Sequence, residues 1–163
     1  MKKKIRFIPI FAALTIFIFI NPSLMAGEEN SAQSVVKEFA AAYFMLEPSM
    51  KDYLNKKALT NEAGEDIVDL YLQQKTMEAQ NQGYKISFLQ KKAVKIKTRV
   101  LNKDKSSARI LFSATTIRSI NPLYRVIGSL LGVIEEYKVQ NIITVVKENE
   151  NWKIAPGAFD LPI

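Results

Sequence analysis

"KKAVKIKTRV", Lys91 to Val100, decides the fold. Val94, Ile96, Thr98 and Val100 alternate with Lys95, Lys97 and Arg99. A period of two belongs to a strand, whose side chains point to opposite faces in turn; a helix repeats every 3.6 residues. One face should be greasy and the other wet, as in an antiparallel sheet covered on one side. The same period continues downstream. Ala108 to Arg118 sets Ile110, Phe112 and Ala114 against Arg109, Ser113 and Thr115, and Tyr137 to Lys147 aligns Val139, Ile143 and Val145. Polar turns fall at Asn102–Ser106 and Glu148–Asn151, and a short last strand, Trp152–Ile154, ends at Pro156-Gly157, with Trp152 expected in the core. Upstream, Tyr84, Ile86 and Phe88 alternate with Lys85 and Ser87, so the strand signal begins directly after Gly83.

Before Gly83 the period is helical. Val35, Val36, Phe39, Tyr43 and Leu46 predict a helix over 31–46, with Asn30 as N-cap and Gln33 in the capping-box position. Pro48 should stop it, and Ser49 should cap a second short helix carrying Met50, Tyr53 and Leu54. A third helix is expected from Glu65 to Ala79, with Ile67, Val68, Leu70, Tyr71 and Met77 as its apolar set and acids in its first turn. Helices first and strands afterwards imply an α+β domain: N-terminal helices packed on a curved antiparallel sheet.

The first 26 residues have the pattern of a secretory signal. Lys2, Lys3, Lys4 and Arg6 precede an apolar run from Phe7 to Ile20, and Ser23-Leu24-Met25-Ala26 offers a cleavage site. The greasy run is shorter than the roughly 18 residues of a spanning helix, although an uncleaved anchor is the rival reading. The expectation is export, to the periplasm or beyond, of a single domain over 27–163. Without residues 1–26, which hold four bases and no acids, the formal charge falls from +7 to +3. The basic balance of the whole chain is therefore no argument for nucleic acid. With no Cys and no His, the usual zinc, haem and nucleophilic-triad chemistries lose their ligands, and no cofactor or metal is expected. The acidic stretch Asn61–Asp66 lacks the alternating oxygen spacing of a calcium loop.

The order of elements, closing on a turn and "ENWKI" (Glu150–Ile154), resembles the nuclear transport factor 2-like superfamily. The likeness covers roughly Ser31 to Pro156. It implies a cone in which a sheet wraps a long helix, an apolar pocket between them, and often a homodimer through the sheet. The superfamily includes isomerases and dehydratases beside many non-catalytic domains, so fold alone does not give function.

Three features could carry function. The first is the connector "NPLYRVIGSLLGVIEEY", Asn121–Tyr137. Asn121-Pro122 is a good helix start, and Leu123, Tyr124, Ile127, Leu130, Leu131 and Ile134 fall on one helical face, opposite Arg125, Gly128, Ser129 and Gly132. This segment is expected to cap the pocket or to form an interface; one arginine suits membrane contact poorly. The second is charge: residues 85–118 hold ten bases and one acid. Lys85, Lys91, Lys92, Lys95, Lys97 and Arg99 could form a basic sheet face for an anionic partner in the envelope, or simply guard the sheet against unwanted pairing. The third is a pocket acid or base among Tyr43, Glu47, Asp52, Tyr71 and Asn141, of which the tyrosines are also ligand candidates. The reading is an exported, non-catalytic binding or assembly module with an apolar cavity capped by 121–134. A small lyase or isomerase acting in that cavity, and a peripheral envelope protein using the basic face, stay open as alternatives.

Overall fold

The structure is a computed structural model and describes residues 31–118, 128, 130, 135–159 and 161. Two helices, α1 (Ala32–Phe44) and α2 (Ile67–Asn81), precede four strands, β1 (Lys91–Lys103), β2 (Ser107–Arg118), β3 (Glu136–Glu148) and β4 (Asn151–Ile154). The strands pair antiparallel in the order β1-β2-β3-β4. The α+β class and the antiparallel sheet expected from the sequence are both present.

Helix α1 lies across all four strands. It buries Val36, Phe39 and Tyr43 against Ile110, Phe112, Ile143, Val145 and Ile154. Burial of this stripe is the main term holding helix to sheet, since each such side chain removed from water contributes about 1.5–3 kcal/mol. The cap is Ser31, one residue later than expected: its hydroxyl accepts from the Ser34 N–H. Gln33 closes no capping box. Its Nε2 donates to the backbone oxygen and hydroxyl of Thr98, both at 3.1 Å, so the amide ties α1 to β1.

Two further expectations change. Pro48 begins the second helical segment, a 3-10 turn over Pro48–Tyr53, because a residue without an N–H fits a first turn. The strand expected at Tyr84–Phe88 is a 3-10 turn, Ile86–Phe88. Gly83, at φ +75°, ends α2 in a Schellman motif: Tyr84 N–H donates to Ala79 O and Gly83 N–H to Gln80 O. The turn then brings the Tyr84 and Phe88 rings into a stack, centroids 4.1 Å apart, with the Arg118 guanidinium against Phe88. Alternating residues in a short run satisfy a turn as well as a strand.

The sheet edges are protected in different ways. On the outer side of β4, Leu54 bridges Ile154 and the Asn55 N–H donates to Ile154 O. β1 is the other edge, and it carries lysines and two bulges, both known devices against edge-to-edge pairing. The first bulge sets two residues, Lys95 and Ile96, opposite Ala114, with Lys95 at φ +52°. An extra residue switches which parity faces inward. Val94 therefore pairs with Thr115 on the outer face and leaves the set Ile96, Thr98, Val100. The expected four-residue greasy face is split by one inserted residue.

Candidate functional site

A cavity of about 390 Å³ opens between α1, α2 and the inner face of β2 and β3. Its apolar wall is a stack of three rings. Tyr43 lies between Tyr71, at 5.1 Å and 19°, and Phe159, at 4.6 Å and 14°. Near-parallel rings at these separations attract one another beyond the area they bury, so the wall is stiff. Tyr43 and Tyr71, both expected to face a ligand, do line the cavity, and both are buried.

Phe159 escaped the sequence reading, which assigned no element after the last strand, ended by Pro156-Gly157. The chain continues with Ala158, Phe159 and Leu161 packed on the core. Four apolar residues in the last six, Ala158, Phe159, Leu161 and Ile163, were the available signal.

The sheet side contributes Thr116, Val139 and Asn141. Asn141 pairs with Phe112 across β2–β3, so its amide is on the helix-facing side. It has no side-chain hydrogen bond to any described residue, and no buried side-chain polar atom among the described residues lacks a partner; the amide is thus open to the hollow. Of the other candidate acid–base groups, Glu47 and Asp52 are exposed and lie outside the cavity lining. Together with burial, which is the largest cause, their charges and that of Glu38 push the Tyr53 phenol above its ordinary pKa.

The lip is charged. Lys75 and Glu78, one helical turn apart on α2, form an ion pair at 2.7 Å. On the sheet side Lys91 Nζ sits 4.8 Å from the centre of the Tyr137 ring. The Tyr137 hydroxyl donates to the Glu135 carboxylate, and that bond is the main reason its pKa is raised. Tyr137 therefore stays a neutral phenol beside the lysine.

The expected basic face is divided by the fold. Lys85 precedes the 3-10 turn and belongs to no strand. Lys91 pairs with Arg118 on the inner face and reaches the cavity. Lys92, Lys97 and Arg99 are on the outer face, and Lys95 sits at the bulge, 3.5 Å from Glu136. Arg109 and Lys138, absent from the expected set, join the outer face because they pair with Asn102 and Thr115.

Of the connector, Gly128 and Leu130, both helical, and the three last residues, Glu135 to Tyr137, are described. Gly128 is buried and Leu130 is 83 % exposed, the reverse of the wheel that set Leu130 on the covered side. Leu123, Tyr124, Ile127, Leu131 and Ile134 lie outside the described residues, as do 1–30 with the expected signal and cleavage site. Among the described residues no helix is long and apolar enough to cross a membrane, and no group of three or more acids is placed to hold a metal ion. No family model matches the chain, and no curated protein is significantly similar to it.

Proposed function

We propose that this chain is an exported, non-catalytic binding module that holds a small molecule with an apolar part in the cavity between helices and sheet. The observation that carries the reading is the hollow itself. At about 390 Å³ it falls within the roughly 300–1,000 Å³ of small-molecule sites, and a few polar groups converge on an aromatic wall. The one acid lining it among the described residues, Glu78, is already held by Lys75, which favours binding over proton transfer. The helix-then-strand order, α1 laid across four strands and the bulges that bend β1 support a cone of the nuclear transport factor 2-like type. Export is supported by the pattern of residues 1–26, and residues 121–134 are the proposed cap.

Native mass spectrometry of protein purified from the envelope tests this. The expected result is a mass lacking residues 1–26 and carrying a small adduct, with the adduct lost when Val139→Trp fills the hollow. An adduct retained by that variant would place the ligand elsewhere.

A second reading rests on a separate observation. Lys92, Lys97, Arg99, Arg109, Lys138 and Lys153 occupy outer positions of the sheet, against Glu136 and Glu148 at the two ends of β3. Such a face attracts an anionic surface in the envelope. Salt-sensitive binding to vesicles containing anionic lipid is expected; equal binding to neutral vesicles would count against it.

A further inference from the structure

The two lysines at the cavity lip are not equivalent. Lys75 is neutralised by Glu78 on its own helix. Lys91 has no carboxylate of a described residue within ion-pair distance, and rests instead on the face of a neutral phenol. Glu135, which contacts the same phenol, is engaged by its hydroxyl. The lip thus carries one cation whose contact is an aromatic face, and an aromatic face is a weaker counter-charge than a carboxylate.

We propose that the cavity selects an anionic amphiphile: a carboxylate set against Lys91, with its apolar body on the Tyr71–Tyr43–Phe159 stack. This rests on the cavity-binding reading above and names the chemistry of its ligand. Lys91 faces inward through pairing with Arg118, four residues before the bulge at Lys95. Asn141 offers a second donor on the sheet wall, where its NH₂ can meet the other carboxylate oxygen or an oxygen further along the ligand. A cationic ligand would find both acids described at the lip already engaged, Glu78 by Lys75 and Glu135 by the Tyr137 hydroxyl. A neutral ligand would leave Lys91 without a counter-charge. An acid with an apolar tail uses the cation, the amide and the ring wall together.

The test uses two probes of one skeleton, octanoate and octanol, titrated calorimetrically into the full chain and into Lys91→Gln at low salt. Charge-assisted hydrogen bonds are about twice as strong as neutral ones, but this lysine is partly in water, so a preference for octanoate of roughly five- to tenfold is expected. In Lys91→Gln the preference should vanish, octanoate losing more affinity than octanol. That variant also controls for binding anywhere else on the chain. Equal affinity for both probes in the wild type, or a preference that survives Lys91→Gln, overturns the proposed ligand class and leaves the cavity reading standing. Failure of both probes to bind overturns the cavity reading as well.

Discussion

Leu46 forms part of the cavity lining and is only 9 % exposed, yet its backbone is left-handed at φ +54°. It occupies the position after the C-cap of α1, where Leu46 N–H donates to Tyr43 O and Glu47 N–H to Ala42 O. Helices place glycine at this position because a Cβ there meets the following carbonyl. Two terms therefore oppose each other at one residue: the side chain stabilises by burial, and the Cβ strains the backbone.

The terms separate in a pair of variants. Leu46→Ala removes the buried side chain and keeps the Cβ. Truncating a buried leucine costs about 2–5 kcal/mol, and the lower end applies beside an existing hollow, where little new void forms. Leu46→Gly removes the same side chain and relieves the left-handed strain. Glycine exceeds alanine at such a φ by about 1 kcal/mol, reduced somewhat by the lost Cβ contact. Both variants should be less stable than the wild type, and the glycine variant should be the more stable of the two by about 0.5–1 kcal/mol. This inverts the order found inside helices and strands. Urea unfolding followed by Trp152 fluorescence reads it. With a slope of about 2 kcal/mol/M, the alanine midpoint should fall by about 1 M and the glycine midpoint by less. An alanine variant as stable as the glycine variant, or more so, would refute the strain argument.

The hairpin between β3 and β4 turns at Asn149 and Glu150, both at positive φ, the geometry for which Asn-Gly is preferred. Glu150→Gly should gain about 0.5–1 kcal/mol, seen as a rise in Tm of about 1–4 °C, because the glutamate is 94 % exposed and its 3.8 Å ion pair with Lys147 contributes little. Asp104 holds the other hairpin by accepting from the Ser106 N–H and from the N–H and hydroxyl of Ser107, which lowers its pKa. A carboxylate depressed in the folded state stabilises above its unfolded pKa. That contribution fades as the pH drops below about 4. Amide exchange at Ser106 and Ser107 should therefore lose protection in acid, and in Asp104→Asn protection should no longer follow pH there. Leu130→Asp should change stability by less than about 0.5 kcal/mol, since the side chain is in water. A larger loss in equilibrium unfolding would mean that Leu130 is covered in an assembly.

The sequence reading found the sheet because burial on one face imposes its period on β2 and β3 without interruption: Ile110, Phe112, Ile143 and Val145 are all inward and buried. It found α1 for the same reason. It misread Tyr84–Phe88 because five residues are too few to separate alternation from one turn of tight helix. The lysine run was legible as charge but not as geometry, since β1 contains residues that no period of two accommodates. The cavity was half legible. Tyr43 and Tyr71 stood at core spacing on two helices, but their stacking on Phe159 depends on a tail whose return to α1 has no local signature.

The bulge at Lys95 matters most for the proposed cavity binding, because it divides one charge run between two surfaces. In an unbroken strand Lys91 would share a face with Lys95, Lys97 and Arg99, and the cavity would have no cation on its sheet side. The extra residue turns Lys91 inward while Lys97 and Arg99 stay outside beside Arg109 and Lys138. The outer cluster also bears on self-association through the sheet. A two-fold dimer sets each patch against its own copy, so these cations would face cations across the interface and repel. The same charges that disfavour a second copy favour an anionic partner, and the cation on the other face is left to the cavity.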